Sequence, residues 1–182
     1  MSEPKRAEPV KLVASVLLAE RKLLREALEA LSERYYTTDY ISAPMPFSYT
    51  DYYCREMGNS LERSFVSFEE LIKPESLPDV KLQTNDIEKM FLRAGGRRMN
   101  IDPGYISQAH LILATGKGYA HRPYLRDGIY ADLTLIYSDG SFRALPWTYP
   151  DYGEEKTREM FNRIRGKYIL QLKRDIPGAP VA

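Results

Sequence analysis

The stretch Val10-Lys11-Leu12-Val13-Ala14-Ser15-Val16-Leu17-Leu18 is mostly apolar and contains several β-branched residues. Such a run predicts a strand in the interior of a sheet. From Glu20 onward the period changes, and apolar residues recur at helical spacing at Leu24, Ala27, Leu28 and Leu31. A strand followed directly by an amphipathic helix requires that the helix packs back onto the sheet.

The elements predicted after this helix reduce the number of folds that fit the sequence. We expect a second strand over 37–42, a third over 61–68, a short helical turn over 69–72, a helix that begins at Asn85, and a fourth strand over 97–101. Asn85 and Glu88 have the spacing of a capping box, which predicts where that helix starts. The resulting order is the βαββαβ order of a ferredoxin-like sandwich.

The second half of the chain predicts further strands and a last helix. Asp102-Pro103-Gly104 has the composition of a type II turn, because Pro fixes the first central angle and Gly takes a positive φ. Alternating side chains over 107–115 then predict a strand. A helix is expected after Asp151, and its apolar side is formed by Met160, Phe161, Ile164, Tyr168 and Leu172.

Asp139-Gly140 lies between two β-rich runs, 129–137 and 142–147, and predicts a hairpin with a two-residue turn. In that register Tyr137 faces Phe142, Leu135 faces Ala144, Thr134 faces Leu145 and Asp132 faces Trp147. Asp132 is then a carboxylate in the middle of a strand. It is expected either to face solvent or to be buried with a partner such as Arg143 or a histidine.

The sequence therefore predicts an α+β fold: a mostly antiparallel sheet of about six or seven strands with two or three helices largely on one face. The 182 residues suit a single domain, with loose tails at 1–8 and 176–182. The polar start lacks the apolar run of a signal peptide, and Cys54 is the single cysteine. Both features are typical of a soluble, cytoplasmic protein.

The net charge of +1 conceals a segregation of charge along the chain. Residues 51–88 include nine acidic and four basic side chains, whereas residues 89–126 include seven basic side chains and one acidic side chain. Such asymmetry indicates either an electropositive binding face or two blocks that pair with each other across the fold. The sequence leaves both interpretations open.

Several distinctive strings resemble one prokaryotic family, domain of unknown function 4416. They are Phe47-Ser48-Tyr49-Thr50-Asp51-Tyr52-Tyr53 with Glu56-Met57-Gly58, Lys81-Leu82-Gln83-Thr84-Asn85, Arg97 to Tyr105, and Leu145-Pro146-Trp147-Thr148-Tyr149-Pro150-Asp151-Tyr152. The resemblance covers nearly the whole chain. Members of that family are sometimes labelled GTP-binding, so the resemblance implies an expectation of nucleotide binding.

The sequence itself contains no Walker motif that would explain such a label. A phosphate-binding P-loop needs the frame GxxxxGK[ST]. Around Gly116-Lys117-Gly118, Leu111 takes the place of the first glycine and Gly118 takes the place of the Ser or Thr that would hold magnesium. Gly116-Lys117-Gly118 is then either an anion-binding turn or a plain flexible connection between strands.

Basic side chains after Gly96 and Gly116 form the candidate ligand site. If those strands lie side by side, the ligand-binding residues are Arg97, Arg98, Asn100, Lys117 and Arg122. Arginine binds phosphate through paired hydrogen bonds. His121 could act as acid or base near neutral pH, and the acidic candidates for proton transfer or for binding a magnesium cofactor are Asp51, Glu56 and Asp102.

Other chemistry has weaker signals. His110 and His121 lack the spacing of a zinc site. The sequence contains no GxSxG motif for a serine nucleophile, and Cys54 has no histidine close in sequence. The best-supported prediction is a protein that binds a nucleotide or another phosphorylated small molecule, with phosphoester chemistry as an extension. One alternative is an RNA-binding module that stacks bases on tyrosines of the basic segment. The other is a protein–protein adaptor without a small ligand.

Overall fold

The computed structural model describes residues 1–93 and 96–174. The strands are β1 Val10–Leu18, β2 Thr38–Ile41, β3 Met45–Phe47, β4 Leu61–Ile72, β5 Met99–Ile106, β6 His110–Thr115, β7 Tyr124–Arg126, β8 Ile129–Ser138 and β9 Ser141–Ala144. The helices are α1 Leu23–Tyr35, α2 Cys54–Met57, α3 Leu77–Met90, α4 Pro150–Gly153 and α5 Glu155–Arg174. The predicted α+β class is confirmed. Among the described helices, none is long and apolar enough to cross a membrane.

All strands of the described residues belong to one antiparallel sheet with the order β2-β4-β1-β5-β6-β8-β7, to which β3 adds on β4 and β9 on β8. The neighbours β2-β4-β1-β5, together with the intervening helices α1 and α3, reproduce the order expected of a ferredoxin-like start. The sheet has nine strands rather than six or seven, because β3 and β7 are three-residue strands that carry no alternating apolar pattern.

Helices cover both faces of this sheet. Leu12, Ala14, Val16 and Leu18 of β1 pack in one core with Leu23, Ala27 and Leu31 of α1 and with Val80 and Ile87 of α3. Val13, on the opposite face of β1, packs in a second core with Met160, Phe161, Ile164 and Tyr168 of α5. The helices therefore do not all lie on one face: α1 and α3 share a face, and α5 covers the other. The apolar side predicted for α5 is the side that is buried.

Three predicted elements differ from the structure. Residues 69–72 continue β4 rather than forming a helical turn, because Leu71 and Ile72 pair with Lys11 and Val10 of β1. Helix α3 begins eight residues before Asn85, at Leu77. Pro78 lies in its first turn, where the missing N–H of proline costs no helical hydrogen bond. Asn85 and Glu88 are consequently inside the helix and do not cap it.

The largest correction concerns Asp102-Pro103-Gly104, which lies inside β5 and forms no turn. The three residues pair with Ser15, Ala14 and Val13 of β1. Pairing with a central strand outweighs the local preference of Pro and Gly for turns. The chain instead turns at residues 107–109, where Ser107 N–H donates to the carbonyl of His110 at 2.9 Å.

The hairpin around Asp139-Gly140 is confirmed. Both residues have positive φ, 50° and 80°, as a type I′ turn requires, and Tyr137 pairs with Phe142 and Leu135 with Ala144. Strand β9 ends at Ala144, so the expected pairs beyond it do not form. Trp147 Nε1 donates to the carbonyl of Leu133 at 2.8 Å, and the Trp147 ring does not face Asp132 across a ladder.

Lys11 is fully buried in the second core, where its ammonium group bonds Asp39 Oδ2 at 2.5 Å and Gln171 Oε1 at 2.7 Å. Burial raises the pKa of Asp39, but hydrogen bonds from Lys11, Ser67 and Lys167 outweigh burial and leave that pKa below its usual value. A carboxyl with a lowered folded-state pKa stabilises the fold above its unfolded pKa, about 3.9, and loses that contribution as the pH falls through the folded pKa.

We therefore expect Asp39→Asn to lower the free energy of unfolding at pH 7 and to have a smaller effect at pH 3. Urea denaturation of both proteins at the two pH values measures this, because the difference between them isolates Asp39 from the other carboxyl groups. A difference that is the same at pH 3 as at pH 7 would contradict the assignment.

Candidate ligand-binding cavity

Strands β5 and β6 separate in the middle of the sheet. The two strands pair only from Gly104 to Ile106 of β5. On the N-terminal side of Gly104, side chains of helix α3 replace β6 as hydrogen-bond partners of the β5 backbone. Lys81 Nζ donates to the carbonyl of Ile101 at 2.8 Å, and Glu88 Oε1 accepts the N–H of Ile101 at 2.7 Å. N–H groups of an antiparallel strand alternate between its two neighbours, so the backbone nitrogens of Ile101 and Pro103 point to the same side of β5. Because proline has no N–H, Pro103 leaves no unpaired donor on this open side.

Gly104 is a position at which the two strands approach each other closely. A Cβ atom there would lie 2.4 Å from the carbonyl oxygen of Ile112 and 2.7 Å from a Leu113 methyl group. Only glycine allows this approach, so Gly104 positions β6 and thereby one wall of the opening between the strands.

Gly104→Ala is expected to destabilise the fold by about 1–3 kcal/mol, the usual range for an overpacked core position. Gly166→Ala provides the control, since Gly166 lies in α5 with open space around it and alanine there should stabilise by up to about 1 kcal/mol. Urea denaturation of the two variants should give shifts of opposite sign. If Gly104→Ala left the free energy of unfolding unchanged or raised it, β5 and β6 would be able to move apart at this point without loss of stability.

A cavity of about 570 Å³ lies where the strands separate. One wall is β5 with Asn100 and Asp102, and the opposite wall is the segment 113–117. Residues from the segments 47–53 and 149–152 line it as well, and they contribute five tyrosines: Tyr49, Tyr52, Tyr53, Tyr149 and Tyr152. The size is within the range of small-molecule sites, about 300–1,000 Å³.

Arg97 lies at the β5 side of the cavity and is held by two neighbours. Its Nε and Nη2 donate to Glu56 at 2.8–3.0 Å, and its Nη1 donates to Asn100 Oδ1 at 2.9 Å. The hydrogen bonds from Arg97 lower the pKa of Glu56 and, in turn, raise the pKa of Arg97. Arg97 is therefore a fixed cation: its nearer carboxylate partner, Glu56, lies outside the cavity lining, and Glu88, with Oε2 3.7 Å from Arg97 Nη1, lies within it.

Arg122 reaches the cavity from the loop before β7. Its Nε donates to Asp132 Oδ2 at 2.8 Å, and its Nη2 donates to the Tyr149 hydroxyl at 2.9 Å. Asp132 is 4% exposed, which decides between the two alternatives left open by the sequence: it is buried with partners. Those partners are Arg122 and His121, whose Nε2 lies 3.6 Å from Asp132 Oδ2, and not Arg143.

A buried ion pair forms another part of the lining. Arg63 of β4 and Asp151 of α4 are each 7% exposed, and Arg63 Nη1 donates to Asp151 Oδ2. The guanidinium group of Arg63 lies 4.3 Å from the centre of the Phe47 ring. A charged pair this deep needs each partner to compensate the other, and it brings charge to the inner end of the cavity.

Lys81, Glu88 and Asp102 form a third charged group, at the α3 side. Lys81 Nζ lies 3.3 Å from Asp102 Oδ1 and 4.0 Å from Glu88 Oε1. Burial raises the pKa of Glu88, and the Lys81 charge and the Ile101 N–H oppose that rise. Asn100 Nδ2 donates to Asp102 Oδ2 at 2.7 Å, which orients that carboxylate.

Lys117 has a different environment, because it is exposed and has no acidic side chain within ion-pair distance in residues 1–93 and 96–174. Its ammonium group lies 3.9 Å from the centre of the exposed Tyr52 ring. Contact with Lys117 lowers the pKa of the Tyr52 phenol. Lys117 thus supplies an uncompensated positive charge beside the exposed tyrosines.

The structure brings together four of the five predicted ligand-binding residues, Arg97, Asn100, Lys117 and Arg122, and one of the predicted catalytic residues, Asp102. Arg98 is not among the lining residues, and its guanidinium group bonds Glu20 at 2.6 Å. Glu56 is engaged with Arg97, His121 stacks on Trp147 at 5.0 Å, and the exposed Asp51 is 3.8 Å from Cys54 Sγ.

Sequence reasoning missed the charged residues that lie deepest, namely Arg63, Lys81, Glu88, Asp132 as a site residue, and Asp151. Arg63 did carry a signal, because the alternation of a strand places this basic residue on the same face as the apolar Leu61 and Phe65. Asp151 had no such signal, since an acidic residue after Pro150 is equally typical of a helix start.

The two charge blocks pair with each other in part, through three of the seven basic side chains of residues 89–126. Arg97 contacts Glu56 and Glu88, Lys89 contacts Asp86, and Arg126 contacts Asp79 at 2.5 Å. These contacts support the interpretation in which the blocks compensate each other, and they leave Lys117 as the exposed cation at the cavity. No cluster of three or more His, Cys, Asp or Glu side chains suited to a metal ion occurs in the part of the chain that the structure describes.

Comparison with known proteins adds a family and nothing more specific. No curated protein and no solved structure matches the chain significantly. Each segment in which the sequence resembles domain of unknown function 4416 contributes a residue to the cavity or a partner of one. Residues 8–168 match the family described as "Domain of unknown function (DUF4416)", and the chain therefore belongs to that family.

Proposed function

We propose that this protein binds a nucleotide or another phosphorylated small molecule in the cavity between β5 and β6. One observation carries the proposal: Arg97 and Asn100 of one segment and Lys117 and Arg122 of another line a single cavity of about 570 Å³. Arginine and lysine side chains are the usual partners of phosphate groups. The tyrosines of the segments 47–53 and 149–152 offer aromatic surface for a base or a sugar ring.

Phosphoester chemistry is a further prediction and depends on Asp102, the one predicted catalytic residue that lines the cavity. RNA binding and adaptor function are less favoured. Extended binding to RNA needs many unpaired basic groups, whereas Arg97, Arg98, Arg122 and Arg126 each contact a carboxylate. We also propose a cytoplasmic location, because a chain whose single cysteine is Cys54 suits a reducing compartment.

A thermal-shift panel tests the proposal. Nucleotides, sugar phosphates and inorganic phosphate are each added with and without magnesium, and a ligand at a hundred times its dissociation constant should stabilise by about 2.7 kcal/mol. We expect one class of phosphorylated ligand to raise the melting temperature selectively.

Adjacent arginines provide a matched pair of variants. Arg97→Ala should abolish most of the shift, since Arg97 lines the cavity, whereas Arg98→Ala should preserve it, since Arg98 bonds Glu20. Each variant removes one positive charge and one partly exposed ion pair, with Glu56 or Glu20, and Arg97→Ala also removes the 3.7 Å contact with Glu88. Equal loss in the two variants would indicate a general charge effect, and a flat panel would reject the proposed function.

A further inference from the structure

Without Lys117, the side chains that line the cavity have no net charge to offer a phosphate group. Apart from Lys117, its basic residues are Arg63, Lys81, Arg97 and Arg122, and its acidic residues are Glu88, Asp102, Asp132 and Asp151. Each of these basic side chains lies within 4.0 Å of a carboxylate oxygen. A phosphate monoester carries a charge of about −1.5 to −2 near pH 7, so at every cation of the lining except Lys117 it would meet a carboxylate.

The Arg63–Asp151 pair offers both a donor and an acceptor instead. Arg63 Nη1 bonds Asp151 Oδ2, and within the described residues Arg63 Nη2 and Asp151 Oδ1 make no hydrogen bond. Arg63 Nε is buried and also lacks a partner. A hydroxyl group can accept a hydrogen bond from Arg63 Nη2 and donate one to Asp151 Oδ1. An ionised phosphate oxygen can only accept, and the Asp151 carboxylate repels it.

Asn85 of helix α3 adds a neutral polar group to the cavity lining. Its side chain lines the cavity, and the amide can both donate and accept. Asp102, whose two oxygens accept from Lys81 and Asn100, retains lone pairs for a further donor. The inner end is thus suited to a group that supplies several donors and acceptors and has no charge of its own.

Lys117 is the side chain best placed for the anionic part of a ligand. It is exposed, and none of the carboxylates in the described chain lies within ion-pair distance of it. Its neighbour Gly116 has open space around it, so a phosphate group can approach the backbone there. Tyr52 and Tyr149, 57% and 49% exposed, lie at the same outer end.

We propose that the ligand is a phosphate monoester of a hydroxyl-rich compound, such as a sugar or a nucleoside, and that it binds in one orientation. The phosphate group stays at the outer end against Lys117. The uncharged, hydroxyl-bearing part enters the cavity and bonds the Arg63–Asp151 pair. This inference rests on the proposed function and specifies the class and direction of its ligand.

Titration calorimetry with two pairs of probes tests this orientation: ribose 5-phosphate with ribose, and adenosine 5′-monophosphate with adenosine. Each probe is titrated into the unmodified protein, Lys117→Gln and Lys173→Gln. Lys173 lies in the last turn of α5 and is exposed, so its replacement removes the same charge away from the cavity. Lys117→Gln should weaken the phosphorylated probe about tenfold, the loss of one charge-assisted hydrogen bond, and change the unphosphorylated probe less than about twofold.

Asp151→Asn is an independent test of whether the phosphate group lies against Lys117 or against Arg63. If the phosphate group lay against Arg63, removing the Asp151 charge would tighten its binding; under our proposal, binding of the phosphorylated probe becomes no tighter. An unchanged affinity in Lys117→Gln, or tighter binding in Asp151→Asn, overturns the orientation and leaves the proposed function in place. If neither phosphorylated probe binds and the wider panel also gives no thermal shift, the proposed orientation and the proposed function are both overturned.

Discussion

Asp151→Ala is expected to lower the free energy of unfolding by about 3–5 kcal/mol, the cost of leaving a buried charge without its partner. Arg63 and Asp151 are each 7% exposed. After the substitution the Arg63 guanidinium group would remain between the rings of Phe47 and Tyr152, at 4.3 and 5.6 Å from their centres, with no carboxylate to compensate it. Urea denaturation at neutral pH measures the loss.

The double variant Arg63→Met, Asp151→Leu is the control. Because replacing both members of a buried ion pair by apolar residues is often neutral or stabilising, this variant should recover most of the lost stability. It should nevertheless fail to bind the ligand, since the donor and acceptor at the inner end are gone. If Asp151→Ala alone were within about 0.5 kcal/mol of the unmodified protein, as most surface substitutions are, the pair would not be a buried element of the site.

Phe161→Ala should also cost about 3–5 kcal/mol, as is usual when a fully buried aromatic ring is removed. Phe161 is 1% exposed, and its ring lies 5.2 Å from Phe65 and 5.9 Å from Tyr152. Tyr152 lines the cavity, so a void at Phe161 should loosen the cavity as well as the contact between α5 and the sheet. Denaturation and ligand titration on the same variant measure the two effects.

Leu170→Ala is the matched control on the same helix. Leu170 is 58% exposed, and we expect a change within about 0.5 kcal/mol and unaltered ligand binding. A Phe161→Ala variant that resembled Leu170→Ala in stability would mean that α5 is not anchored through this ring.

Local sequence patterns were sufficient to predict those elements whose conformation is determined by residues within the element itself. Strand β1, helix α1 and the turn at Asp139-Gly140 were predictable because apolar period and turn composition act over a few residues. The segment Asp102-Pro103-Gly104 was not predictable in this way. Its turn composition is outweighed by pairing with β1 on one side. On the other side, the preceding residue Ile101 accepts a hydrogen bond from Lys81 and donates one to Glu88.

The site was predictable only in its outer part. Arg97, Lys117 and Arg122 lie in a segment whose charge stands out in the sequence, and they do line the cavity. Arg98 follows Arg97 directly, but it bonds Glu20 instead, and sequence alone does not separate the two. Arg63 and Asp151 are 88 residues apart, and their pairing arises only when β4 and α4 meet in the folded protein.

The most direct test of the account is a crystal structure of the protein with the phosphorylated ligand that gives the largest thermal shift. We expect the ligand between β5 and β6, with its phosphate group near Lys117 and its hydroxyl groups within hydrogen-bond distance of Arg63 and Asp151. A ligand bound elsewhere on the protein, with this cavity unchanged, would contradict the account.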